Sequence, residues 1–287
     1  MFKLALVAGH YLGTAGKRCP KKLDPNETRE WWLNNRIVSK IEKNLEAYDG
    51  IEILRIDDPT GKTDIPLATR VAKGNNWGAD FWLSIHANAA DLPREVETFD
   101  GGGIVAYVHT NASEESKEWQ RDLYKASINE TGLKGNRATP IAAASHYETR
   151  NTKMPAVLME CGFMNSTVDC PIILTEKFAN GIAKACTDVI VKRAGLKKKA
   201  VTTKPSVKVS ISLPVLTKGA KHDAVKTLQS ILNARGFTDA SEKSLAVDGS
   251  FGPATQYALK TFQDSTHKLK VDGICGEETW KALLYSI

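Results

Sequence analysis

The sequence predicts an α/β domain, built as a twisted and mainly parallel sheet flanked by helices, followed by a small all-α C-terminal domain. Three observations carry this. Three short apolar runs each lead into a residue able to bind a metal or move a proton: Phe2 to Gly9 into His10, Phe81 to Ile85 into His86, and Ala156 to Met159 into Glu160. Uninterrupted runs of this length read as strands buried on both faces, as in parallel sheets. A segment of helical period separates the first two runs. Late in the chain, a repeated turn leads twice into an apolar helix.

The elements follow in order. The first run is a strand ending at His10. Thr28 to Leu45 reads as an amphipathic helix with Trp32, Ile37, Ile41 and Leu45 on one face and Glu30 in its first turn, where the helix dipole favours a carboxylate. The second and third runs are strands ending at His86 and Glu160, and Cys161 should face away from Glu160 into the core. Residues 195–212, rich in Lys, Thr and Ser and without helical period, read as a basic flexible linker between domains at 1–194 and 213–287. Beyond it, Asp223 to Ala234 is a helix with Val225, Leu228, Ile231 and Leu232 on one face. Asp248-Gly-Ser-Phe-Gly252 and Asp272-Gly-Ile-Cys-Gly276 each run on to a Thr three residues later, a frame in which Asp-Gly makes a tight turn and the second Gly supplies positive φ. The segments around Tyr257 to Phe262 and Trp280 to Leu284 are the helices that follow.

Composition narrows the function classes. At 287 residues, 42% hydrophobic and 25% charged, the chain suits one good-sized soluble domain plus a smaller one. Its apolar runs fall far short of a membrane span, and His10 interrupts the N-terminal run before it could serve as a secretory segment, so stable membrane insertion is not expected and synthesis without a signal peptide is. The five cysteines, odd in number and lacking C-x-x-C spacing, read as reduced thiols. The net charge of +6 resides in residues 197–287, which hold 14 Lys and Arg against 8 Asp and Glu. A basic tail suits nucleic acid, an acidic membrane surface or an anionic wall polymer. With no zinc-finger spacing or helix-turn-helix, nucleic acid is not expected as a partner. Oligomeric state is left open.

In open parallel sheets, ligands bind beyond the carboxyl ends of the strands, so His10, His86 and Glu160 can converge on one point. Imidazole and carboxylate are zinc donors, and a catalytic zinc keeps one position for water. Glu27 rivals Glu30 as a further carboxylate. Asn88 shares a strand face with His86; His109 reads as strand or loop decoration and His146 as a rim residue.

Four stretches, Val7-Ala-Gly-His10, Glu30-Trp-Trp-Leu-Asn34, Arg70 through Asp80 to His86-Ala-Asn88, and Met154-Pro-Ala-Val-Leu-Met-Glu160-Cys-Gly-Phe163, resemble the zinc-dependent N-acetylmuramoyl-L-alanine amidases of the amidase-3 type. The resemblance spans most of residues 1–192. It implies zinc ligation by His10, Glu30 and His86 and an essential second glutamate at Glu160. His10-Tyr-Leu departs from the more common His-Gly-Gly. In the tail, Leu216-x-x-Gly219, Leu228-Gln229, the two Asp-Gly frames, Phe262-Gln263 and Thr279-Trp280 resemble a helical peptidoglycan-binding domain. Together these imply a peptidoglycan amidase cleaving between N-acetylmuramic acid and L-alanine, an endolysin that waits in the cytoplasm and acts on the wall after release. The rival expectations are a zinc peptidase cutting within the stem peptide and a catalytically inactive wall-binding protein.

Overall fold

The computed structural model describes residues 1–93, 95–199, 213–266 and 269–285, which fall into two compact units on either side of residues 200–212. In the first unit the order is β1 (Phe2–Ala8), α1 (Glu30–Leu45), β2 (Tyr48–Asp49), β3 (Ile51–Arg55), α2 (Leu67–Trp77), β4 (Phe81–Asn88), β5 (Ile104–Val108) and α3 (Glu114–Thr131). It continues with β6 (Ile141–Ala143), α4 (Tyr147–Asn151), β7 (Ala156–Phe163), α5 (Asp169–Ile173), α6 (Glu176–Arg193) and β8 (Lys197–Lys198). The second unit holds α7 (Asp223–Ala234), α8 (Pro253–Ser265) and α9 (Glu277–Tyr285).

Six strands form one sheet in the order β3-β1-β4-β7-β5-β6, parallel throughout except where β5 meets β7 antiparallel. Alternation along the strands divides the core. Leu4, Leu6, Phe81, Leu83, Ile85, Val157 and Met159 join the main cluster with residues of α1, α3 and α6. Ala5, Val7, Trp82 and Ala156 pack on the other face with Ile56 and Val71. Ser84, His86 and Glu160 share the parity of Trp82 and Ala156, so they lie on this second face.

The strands run further than their apolar stretches. β4 and β7 stay paired through His86 and Glu160, which are register partners, and a bulge interrupts the ladder only between His86 and Asn88. The first helix begins at Glu30, not Thr28, because the Thr28 N–H donates to Asp24 and its carbonyl accepts from Cys19, holding the segment as loop. Trp31, not Trp32, is on its buried face; Trp32 is exposed and stacks on the Arg36 guanidinium at 4.6 Å.

The linker boundary also moves. Leu196 packs against the main core, Lys197–Lys198 pair antiparallel with Tyr48–Asp49, and the Lys199 N–H donates to Ala47 O at 2.8 Å. Residues 195–199 therefore finish the first unit, since an apolar side chain and a free strand edge hold them. Most of the stretch read as a flexible linker, 200–212, lies outside the described residues.

In the second unit, α7 spans the expected residues and buries Val225, Leu228 and Leu232 against Phe251, Leu259, Phe262 and Trp280. A buried glutamine organises each repeat. Gln229 Nε2 donates to Asp248 Oδ1, Ser250 O and Thr255 Oγ1, and its Oε1 accepts from Gly249 N–H. Gln263 does the same with Asp272, Ile274, Thr279 and Gly273. Positive φ falls on the first glycine of each frame, 76° at Gly249 and 71° at Gly273, whereas the second, Gly252, caps α8 at φ −87°. It is the N–H of this same glycine that the buried glutamine accepts in each repeat.

Candidate metal centre and its pocket

Three donor side chains, His10, Glu30 and His86, meet where β1 and β4 approach their ends. β1 stops at Ala8, Gly9 N–H donates to Ile85 O at 2.9 Å, and the chain turns at His10 with φ 64°, a left-handed conformation costly for a non-glycine residue. Arg70, almost wholly buried, clamps the turn by donating to His10 O at 3.2 Å and to Ile65 O at 2.8 Å. The absence of a side chain at Gly9 is essential: a Cβ there would lie 2.1 Å from Cε1 of the His86 ring. Glu30 enters from the first turn of α1.

The Glu30 carboxylate is 1% exposed. Its Oε1 accepts the Ala87 N–H at 3.2 Å and lies 3.2 Å from His86 Nδ1, while Oε2 lies 3.3 Å from His10 Nε2 and 3.8 Å from Lys17 Nζ. Asn34 Nδ2 bridges Gly9 O and Glu30 Oε1, one helical turn on. Despite these neighbours, Glu30 Oε2 has no aligned hydrogen-bond partner, which is expensive for a buried carboxylate. One donor atom from each of His10, Glu30 and His86 falls within 4.8 Å of the others. Two imidazoles, a carboxylate and an orphaned oxygen fit a zinc ion by donor chemistry and by need.

The electrostatics agree. Burial pushes His10 down to about 4, which keeps its imidazole neutral and able to donate a lone pair. Burial also opposes charge on His86, but the carboxylates of Glu148, Glu30 and Glu160 prevail and raise it to about 10, so the site favours a positive charge there, proton or cation. Burial raises Glu160 to about 7, with His86 opposing the shift and Glu30 adding to it.

These residues open on a cavity of about 450 Å³. Its lining includes His10, His86 and Glu160 together with Lys17, Arg70 and Glu148. Lys17 and Glu148 were not singled out in the sequence, and Arg70 entered only as part of a resembling stretch, with no role of its own. Lys is common on any surface, and Glu148 sits in a five-residue helix too short to show a period. His146 belongs to the cavity wall, with its ring edge-on to Tyr107. Glu27 is held apart, paired with Arg18 at 3.0 Å. His109 is half-buried and accepts from the Asn111 N–H, Asn88 Oδ1 accepts from Ala89 N–H, and Cys161 is buried on the opposite sheet face.

Comparison with known proteins places this arrangement. Residues 4–192 match the family described as N-acetylmuramoyl-L-alanine amidase, and residues 221–283 match a putative peptidoglycan binding domain. The endolysin of Bacillus phage SPP1 is 30% identical over 172 residues, covering 59% of this chain and 60% of that protein. A sporulation-specific N-acetylmuramoyl-L-alanine amidase of Bacillus subtilis is 26% identical over 153 residues, covering 53% and 54%. The chain thus spans little more than half the length of these curated relatives. Among solved structures, the catalytic domain of CwlV, an N-acetylmuramoyl-L-alanine amidase from Bacillus (Paenibacillus) polymyxa var. colistinus, superposes with a TM-score of 0.58 at 25% identity, covering 69% of this chain and all of that one. The family match runs from within β1 to the last turn of α6 and takes in every residue of the cavity, and the chain therefore belongs to the N-acetylmuramoyl-L-alanine amidase family.

Proposed function

We propose that this protein hydrolyses the amide between N-acetylmuramic acid and L-alanine in peptidoglycan, with zinc held by His10, Glu30 and His86 and with Glu160 carrying the proton. The observation behind this reading is the placement of Glu160 directly across the ladder from His86, on the cavity that His10 and His86 also line. An amide is a weak electrophile with a poor leaving group, so neutral hydrolysis needs both an activated water and a protonated nitrogen. Zinc, when bound, supplies Lewis acidity that polarises the carbonyl and acidifies water. Glu160 accepts the proton of the attacking water and returns a proton to the departing alanine nitrogen as the C–N bond breaks. Its buried strand keeps bulk water from competing for that proton. Arg70 holds the His10 turn, and Lys17 adds positive charge at the cavity wall, where an anionic stem peptide would lie.

The second unit serves as the wall anchor, a role supported by its family match. The likeness to a phage endolysin supports a lytic role, with the protein made in the cytoplasm and reaching the wall after the membrane is breached. Among the described residues no helix is long and apolar enough to cross a membrane. Mass spectrometry of purified peptidoglycan after digestion, with and without a chelator, tests the activity. Intact stem peptides beginning with L-alanine, absent when metal is chelated, are expected. New termini inside the peptide would make it a peptidase, and no product would leave a wall-binding protein.

A further inference from the structure

One buried acid lies beside the centre without a part in the proton transfer. Glu148, in the first turn of α4, is 4% exposed. Its Oε2 accepts the Ser84 Oγ–H at 2.9 Å and lies 3.8 Å from His86 Nε2. Its Oε1 and His86 Nε2 are both buried without a hydrogen-bond partner. Burying a carboxylate with half its acceptor capacity unused destabilises a fold, so its retention here calls for a reason beyond packing.

The His86 ring supplies one. Its Nδ1 faces Glu30 at 3.2 Å and its Nε2 faces Glu148. A neutral imidazole carries its proton on one nitrogen and its lone pair on the other, so a lone pair on Nδ1 requires the proton on Nε2. We propose that Glu148 is a positioning residue: it takes the Nε2–H of His86 and thereby turns the Nδ1 lone pair toward the donors of His10 and Glu30. Closure of the pair by about 0.6 Å or more makes it a hydrogen bond. Ser84 holds the carboxylate in place, two residues before His86 on the same strand face. Carboxylates that orient a ligating histidine in this way commonly contribute 10–100-fold to metal affinity.

The inference rests on the zinc centre proposed above, and a test on the full chain separates the two. Zinc affinity is measured by competition with a chromophoric chelator, and the imidazole protons are read by 15N–1H NMR of the zinc-loaded protein. In the wild type, His86 should carry a slowly exchanging proton on Nε2. Glu148→Leu should lose that slow exchange and bind zinc about 10–100-fold more weakly. Glu148→Gln keeps an acceptor oxygen and should stay within a few-fold of wild type. Unchanged affinity in Glu148→Leu, or equal loss in Glu148→Gln and Glu148→Leu, would overturn the positioning role while leaving the zinc centre intact. Should Glu148→Leu fail to fold, the wild-type spectrum decides, because a proton on Nδ1 contradicts the proposal outright. A wild type that binds no zinc would sink the centre and the inference together.

Discussion

Gly9→Ala places one methyl group where the structure has none to spare. The added Cβ would sit 2.1 Å from Cε1, 2.3 Å from Nδ1 and 2.4 Å from Nε2 of His86. Ordinary contact begins near 3.4 Å, so the ring or the end of β1 must retreat by about 1.3 Å. The ring cannot slide freely, since Glu30 stands 3.2 Å from its Nδ1 and Glu148 3.8 Å from its Nε2. Overpacking of this kind costs about 1–3 kcal/mol, and displacement of a reacting group by about 1 Å costs about 10²-fold in rate. Zinc affinity and amidase turnover should therefore fall together, turnover by about 10²-fold or more. Thermal unfolding of the chelator-treated protein should drop by a few degrees for each kcal/mol lost, at about 2–4 °C per kcal/mol for a unit of this size. Zinc competition, muropeptide turnover and the melting curve form the assay. A Gly9→Ala protein with wild-type zinc affinity and turnover would refute the claim that His86 is held in ligating position against this glycine.

Four further outcomes are expected. Glu160→Gln should lower turnover by about 10²–10⁴-fold with zinc content and wall binding retained, and zinc lost along with activity would recast Glu160 as a ligand. Glu27→Ala, which removes only the half-exposed pair with Arg18, should leave zinc content and turnover near wild type and change stability by less than about 1 kcal/mol, in contrast to loss of zinc and activity together in His86→Ala. Gln229→Ala deletes a buried side chain making four hydrogen bonds and strands the Gly249 N–H; the second unit should lose about 2–4 kcal/mol, read as early unfolding of that unit by calorimetry. A chain ending at Lys199 should keep zinc and cleave soluble muropeptides but no longer sediment with purified wall, while residues 213–287 alone should sediment and cleave nothing; activity lost with the second unit would contradict independent roles.

The local elements were legible in the amino-acid sequence because their causes are local. The apolar runs at Phe2, Phe81 and Ala156 read as buried strands, the helical spacing of Val225, Leu228, Ile231 and Leu232 set the face of α7, and the paired Asp-Gly frames marked two turns before two helices. His10, His86 and Glu160 stood out by type and by position at strand ends, whereas Glu30 was set apart from Glu27 only by the family resemblance. What joins them was not written in any short stretch. His86 faces Glu160 only because β4 and β7 pair in one register across more than seventy residues of chain, and that register depends on how both faces pack. Tertiary packing likewise chose Trp31 over Trp32 for the core, put the positive φ on Gly249 and Gly273, whose N–H groups a buried glutamine accepts, and carried residues 195–199 back onto the edge at Tyr48–Asp49. Glu148 is the extreme case: a single carboxylate in a five-residue helix has no periodicity to betray it, and it acquires meaning only when the folded chain sets it against Ser84 and His86.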